Sequence, residues 1–271
     1  MSLSVILTRP AHRNAGLAQR VSRQGHAVIN LPALTLEPTP LEAASFPLPG
    51  GYDVLVFVSS FAAQVYVDQL QRLDPHPVWP TNTLAVTVGM ASAIPLYDAG
   101  FIPKANIVHP AQDSPRQDSE ALWERLQELG VQARRVLVLG GQSGRQWLTD
   151  QFQQSGATVS RKTLYTRQPA VWTQAQQEAV SRALHDPKSV VMLLTSAQSV
   201  DALHAEMRRF DLLQAWAACT FIVFHERITR RLQSILRLSG LQMQQPVIEC
   251  AATDDAVCQT LQSLCSLHDS F

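Results

Sequence analysis

Three pairs of segments in this chain repeat one local plan, and that plan leaves few folds open. Residues 52–67, YDVLVFVSSFAAQVYV, and residues 188–203, KSVVMLLTSAQSVDAL, each run an apolar strand into two hydroxyls and then change to a helical spacing. Ser59 and Ser60 in the first answer Thr195 and Ser196 in the second. A second pair sets TLAVTVGMASAIPLYDAGF, residues 83–101, against CTFIVFHERITRRLQSILRLSGL, residues 219–241; both close a helix on glycine, Gly100 or Gly240. A third sets residues 5–34 against 135–165, where a strand and a helix reach Gly25 or Gly156 and a second strand follows. These strands are too continuously apolar to be half exposed, which marks a parallel sheet covered by helices on both faces. The expected fold is α/β: two three-layer, flavodoxin-like α/β domains, each with a parallel sheet of three strand–turn–helix units.

The order of the units predicts one discontinuous domain, because the first stands alone, three cluster between residues 50 and 165, and two follow residue 188. Residues 1–36 with 170–271 are expected to form domain 1, residues 39–165 domain 2, and 37–38 with 166–169 the linker. Proline-flanked extended segments stand at both crossings, INLPALTLEPTP at 29–40 and VSRKTLYTRQPAV at 159–171. They are expected to pair as a two-stranded hinge.

Composition narrows the function. Lys plus Arg and Asp plus Glu each total 22, so no global basic field draws the chain to nucleic acid or an anionic membrane. Any anionic ligand must be held locally. Cys219, Cys250, Cys258 and Cys265 show neither C-x-x-C nor a metal-ligand spacing. They read as reduced and packed, with Cys258 and Cys265 sharing one face of a C-terminal helix. The apolar run in MSLSVILTRPAHR is too short for a secretory signal, and no stretch reaches the ~18 apolar residues of a membrane span. The expected compartment is the cytoplasm.

Ligands of open parallel α/β sheets bind outside the carboxyl ends of the strands, where the amides of each following helix point outward. Thr8, Ser59, Ser60, Ser92, Thr195 and Ser196 stand at or just after those ends. Each alone reads best as a helix N-cap. As a set they suit a cleft for a ligand with many carboxylates or phosphates. VLGGQSGRQW, residues 138–147, is a glycine-rich turn that could hold an anion with Arg145 as countercharge, but it is neither G-x-G-x-x-G nor a phosphate loop. Tight-turn and ligand roles for Gly140, Gly141 and Gly144 weigh equally, as do cleft and surface roles for Arg9. His225 heads a helix and reads as a cap or surface residue more readily than a catalytic one. Neither G-x-S-x-G nor H-E-x-x-H is present. Tyr165 stands on a proposed crossing strand facing the cleft, with hinge packing as its plainer role.

At this point the residues resemble the uroporphyrinogen-III synthase family over nearly the whole chain. VILTRP with GHAVINLPALTLEP resembles the family's opening strand, helix and crossing segment; YDVLVFVSS its aspartate-led strand ending on serine; VTVGMASA its VG…TA turn, with Ser92 for threonine. DSEALWERL, GGQSGRQWL, GATVSRKTLYTRQP and LLTSAQSVDAL follow in family order. Phe61 stands where asparagine is usual, Gly140 where many members have arginine, and His225 where bacterial members often carry serine.

The resemblance implies two α/β domains on a two-stranded linker, hydroxymethylbilane as substrate, and no metal or organic cofactor. It carries the family's linker tyrosine onto Tyr165 as the catalytic residue. With the strand-end reading, it expects substrate contacts from Thr8, Arg9, Ser59, Ser60, Gly89, Ser92, Gly141, Arg145, Ser196, Ala197, His225 and Arg227. A monomer receiving its substrate from the preceding pathway enzyme is the expected working form. The rival from another class is a hinged two-domain binding or regulatory protein for a polyanionic small molecule, a non-catalytic relative of the same architecture.

Overall fold

The computed structural model describes residues 2–10, 13–111, 114, 116–142 and 146–268. The chain divides into two compact units, residues 1–35 with 168–271 and residues 36–167. Unit 1 begins with β1 (Ser4–Leu7), α1 (Ala15–Arg23) and β2 (Ala27–Asn30). The chain then leaves through β3 (Leu34–Pro38) and builds unit 2 from β4 (Val54–Phe57), α2 (Ser60–Leu73), β5 (Leu84–Thr87), α3 (Met90–Asp98), β6 (Ile107–Val108), α4 (Ser119–Glu128), β7 (Arg135–Gly141), α5 (Trp147–Gln154) and β8 (Thr158–Pro169). It completes unit 1 with α6 (Gln174–Ala183), β9 (Val190–Leu194), α7 (Ala197–Arg209), α8 (Leu213–Ala217), β10 (Thr220–Val223), α9 (Glu226–Leu238), β11 (Val247–Glu249) and α10 (Asp254–His268).

The described residues form a five-stranded sheet in the order β11-β10-β9-β1-β2 and a six-stranded sheet in the order β3-β8-β7-β4-β5-β6. The second strands after Gly25 and Gly156 complete the three expected units of each sheet, and β3 is the first of the two expected crossing strands; β6 and β11, of 2 and 3 residues, are additional and too short to carry a periodicity. The strands from β4 to β8 pair parallel, as do all of unit 1's. The ribbon of β3 and β8 is tied at Ala170 N–H to Ala33 O and at Thr39 N–H to Leu164 O, an antiparallel register. Residues 37–38 and 166–169, expected to be linker, lie within these two strands.

The echoes seen in the sequence have matched geometry. Ser59 and Ser196, the N-caps of α2 and α7, have φ −163°, ψ 156° and φ −158°, ψ 158°. Gly89 and His225, ahead of α3 and α9, are both extended, whereas Asn14 and Gln146, ahead of α1 and α5, are both helical. Matching the echoes maps β2-β1-β9-β10-β11 onto β8-β7-β4-β5-β6 position by position. The two units thus share one flavodoxin-type strand order, permuted in the chain so that the β1–β2 pair comes first in unit 1 and its counterpart last in unit 2.

Alternate side chains of each central strand enter different cores, which accounts for their unbroken apolarity. Val5 and Leu7 pack with α1 and α10, while Ile6 joins Met192, Phe221 and the faces of α7 and α9. In unit 2, Val54 and Val56 pack with α4 and α5, and Leu55 and Phe57 with α2 and α3. Each such burial contributes about 1.5–3 kcal/mol before chain entropy is counted. Asp53 sets the start of β4 against β7, its Oδ2 accepting the N–H groups of Arg134 and Arg135 at 2.8 Å each. These bonds hold its carboxyl below the ordinary range.

All four cysteines are free thiols, and burial pushes Cys219 up to about 12. Cys258 and Cys265 both lie on α10 and join the core beneath it. No helix among the described residues is long and apolar enough to cross a membrane.

His26 and His204 make unit 1 sensitive to acid. His26 is buried with Nδ1 accepting from Leu3 N–H, and burial lowers it from 6.5; burial and then Arg208 lower His204, whose Nε2 lies 2.8 Å from Ser239 Oγ. A depressed folded value means that the unfolded chain binds protons first. Stability is therefore complete above about pH 6.5 and falls as the pH drops from there toward the folded values. Thermal unfolding between about pH 8 and 5 should show this fall, and His26→Gln should flatten it; a profile unchanged by the substitution would exclude His26 as a source.

Candidate functional site

In this strand order the helices change sides between β1 and β9 in unit 1 and between β7 and β4 in unit 2, which opens a crevice at the carboxyl ends of those strands. Thr8, Arg9, Ser196 and Ala197 lie at the first, and Ser59, Ser60 and Gly141 at the second, whereas Gly89 and Ser92 follow β5 and His225 and Arg227 follow β10, one strand further out.

In unit 2, Tyr165 packs into the core beside the ends of β7 and β4. A register shift lies between Gly140, which pairs with Thr163, and Gly141, which pairs with Tyr165. The bulge breaks the side-chain alternation, so Leu164 and Tyr165 enter the same core. Tyr165 lies on the expected crossing strand and is only 3% exposed. Its Oη lies 3.2 Å from Ser59 Oγ, Phe61 meets its ring edge-on at 5.1 Å, and the Arg167 guanidinium carbon is 5.9 Å from the ring centroid. Packing and a polar contact therefore coexist in one side chain.

The glycines beside it serve close approach. A Cβ on Gly141 would stand 2.9 Å from Tyr165 Cε2, and one on Gly140 would stand 2.5 Å from Val58 Cγ2. At Gly140, Val58 leaves no room for a side chain. Ser59 Oγ accepts Ala62 N–H and caps α2; half-buried Ser60 is that helix's first residue.

At α3, Gly89 is extended, and a Cβ there would meet Gln117 Oε1 at 2.8 Å. That oxygen accepts Met90 N–H at 3.1 Å, so Gln117 seats itself at the start of the helix. Ser92 is half-buried in the first turn, its N–H bonded to Gly89 O. Arg145 lies outside the described residues.

In unit 1 the strand ends are more committed. Thr8 is 1% exposed and its hydroxyl donates to Leu193 O, tying β1 to β9 rather than facing solvent. Arg9 is neither a free cleft cation nor a solvated charge: it pairs with Asp254 at 2.6 Å and lies 5.3 Å from the Phe224 centroid, docking α10. Ser196 and Ser199 form a capping box, leaving Ala197 exposed at the start of α7. His225 caps α9 through Nδ1, accepting Arg227 N–H at 3.0 Å, and the Arg227 side chain is exposed. No cluster of three metal-ligating side chains occurs among the described residues.

Comparison with known proteins adds the family. The model of the family described as uroporphyrinogen-III synthase HemD matches residues 15–235. The chain is 24% identical over 263 residues to the Escherichia coli (strain K12) protein named uroporphyrinogen-III synthase, covering 96% of this chain and 100% of that one. It is 23% identical over 264 residues to the Salmonella typhimurium protein of the same name, with the same coverage. The crystal structure of uroporphyrinogen-III synthetase from Helicobacter pylori 26695 superposes with a TM-score of 0.57 at 16% identity, covering 97% of this chain and 100% of that one. A mutant uroporphyrinogen III synthase from the extreme thermophile Thermus thermophilus gives 0.51 at 14%, with full coverage of both. At these identities the structures speak for the fold.

The Gly140–Val58 contact is directly testable. Gly140→Ala should destabilise by about 1–3 kcal/mol, the usual cost of overpacking, and Val58→Ala in the same chain should restore much of the loss. Chemical denaturation of the single and double variants checks this; strictly additive losses would show that the contact does not limit position 140.

Proposed function

The chain belongs to the uroporphyrinogen-III synthase family, a family of lyases, and on that premise we propose that it converts hydroxymethylbilane to uroporphyrinogen III with inversion of ring D and loss of water. The reading rests on the family match along most of the chain. The single structural observation in its support is a tyrosine hydroxyl held by Ser59 at the β4–β7 crevice.

The chemistry follows from the substrate. Electron density from the ring A pyrrole nitrogen expels the terminal hydroxyl, which leaves as water once it gains a proton. On this reading Tyr165 supplies that proton, as hydrogen-bond donor or general acid. The resulting azafulvene is electrophilic and closes unaided to the symmetric isomer. The enzyme favours attack from the substituted carbon of ring D, giving a spiro intermediate whose ring D carbon bond breaks and re-forms with the ring inverted. Isomer choice is thus a matter of holding the chain curled, an orientation effect.

The eight carboxylates of the substrate suit amides better than a basic surface. In α2 and α7 the caps take the third amide, Ala62 or Ser199, and leave the first two of each turn for a carboxylate. Ser60 and Ala197 lie in such first turns, while in α9 His225 takes the amide of Arg227 and leaves that residue's guanidinium for a carboxylate. In unit 2, Gly89, Ser92 and Gly141 shape the strand-end edge; in unit 1, Thr8 and Arg9 hold strands and helices in place behind that unit's own edge. Hand-over of the unstable substrate from the preceding pathway enzyme belongs to the same proposal.

The test is incubation with freshly made hydroxymethylbilane, oxidation to porphyrins and isomer analysis. Isomer III above the spontaneous background supports the proposal; isomer I alone would favour the non-catalytic binding protein. Tyr165→Phe keeps the ring's packing and should lower kcat by about 10²-fold, with a change in stability of about 1 kcal/mol. Unchanged rate and isomer ratio at an unchanged melting temperature would make Tyr165 a packing residue.

A further inference from the structure

We infer that Ser59 is a positioning residue for Tyr165, and that its helix-capping bond determines which way the tyrosine's proton points. The inference rests on the proposed role of Tyr165 in the cyclisation. Ser59 Oγ accepts Ala62 N–H at 3.2 Å and stands 3.2 Å from Tyr165 Oη. A serine hydroxyl has one proton to give, and no other hydrogen bond of Ser59 Oγ occurs among the described residues.

Two arrangements are open. If Tyr165 donates to Ser59, the tyrosine's proton is committed and the serine's proton has no acceptor among the described residues. If Ser59 donates to Tyr165, the serine's proton is used and the tyrosine's proton is left for the substrate. The second is favoured because the Ala62 amide draws density from Oγ and makes its O–H the better donor, as in any hydrogen-bonded chain. Once Tyr165 has given up its proton, the remaining oxyanion accepts from Ser59 near the positive end of α2, a helix of 14 residues. Gly141 and Phe61 hold the ring so that Oη stays at that distance, one by allowing close approach and the other by edge contact.

Capping and positioning separate in three variants. Ser59→Thr keeps both functions and should hold kcat within about twofold. Ser59→Asp keeps the cap, since aspartate caps as well as serine, but can only accept; Tyr165 must then donate to it. Its melting temperature should hold while kcat falls about tenfold or more, and repulsion of the anionic substrate appears separately as a raised KM. Ser59→Ala loses both functions. In a Tyr165→Phe background, Ser59→Asp should lower kcat no further.

An equal loss in kcat in both backgrounds would overturn the inference, as would a Ser59→Asp enzyme with normal kcat. The hydrogen bond has its own readout in the 13C shift of the Tyr165 ring carbon bearing oxygen, assigned among the chain's 4 tyrosines by Tyr165→Phe. Reversal of donor and acceptor should move that resonance between Ser59→Thr and Ser59→Asp; an unmoved resonance would overturn the inference whatever the activity. Absence of isomer III from the unmodified protein would instead refute the proposed function, and an unaffected Tyr165→Phe enzyme the role of its tyrosine.

Discussion

Everything in this chain depends on strands that pair in parallel and bury both faces. A parallel pair needs a long crossover, and a helix that packs back on the sheet supplies it. The strands β1, β4, β5, β7, β9 and β10 are therefore each followed by a helix whose first amides emerge at the same edge. Ile6 entering one core while Val5 and Leu7 enter the other is the smallest statement of that constraint. Once it holds, the caps of α2, α7 and α9 must cluster at strand ends, whatever they are used for.

The bulge at Gly140 and Gly141 shows how an irregularity turns that edge into a candidate site. In a regular strand Leu164 and Tyr165 would face opposite ways. The shift brings both into one core and sets Oη against the cap of a helix that follows a different strand. Two glycines are needed because two neighbours, Val58 and Tyr165, come closer than any Cβ allows. A residue with a side chain at either place would move the ring or its support.

Much of the fold is legible in the sequence because it is written in local pattern. The three echoes carry strand, cap and helix, and their matched N-cap angles explain why the repetition is visible at all. What escapes is non-local or too short to have a period. The strands β6 and β11 are too brief to alternate, and β3 shows itself only as a proline-flanked extended segment. Thr8 reads as a hydroxyl at a strand end, yet its acceptor is 185 residues away; Arg9's carboxylate is 245 residues away. Gly140 and Gly141 read as a turn, because a sequence does not display the side chain that a missing Cβ makes room for.

Capping and ligand binding look like alternatives for each strand-end hydroxyl, and Ser59 shows why that opposition is too simple. A cap occupies one lone pair of the serine oxygen and leaves its proton undirected. In Ser196 that remaining capacity is met by Ser199 within the same turn, at 3.1 Å. Ser59 has no such neighbour, since the corresponding position is Ala62, and the group within reach is Tyr165. Two caps of almost identical backbone geometry thus differ in where the second hydrogen bond goes. In one it closes the helix on itself, and in the other it reaches out of the helix to a phenol on β8.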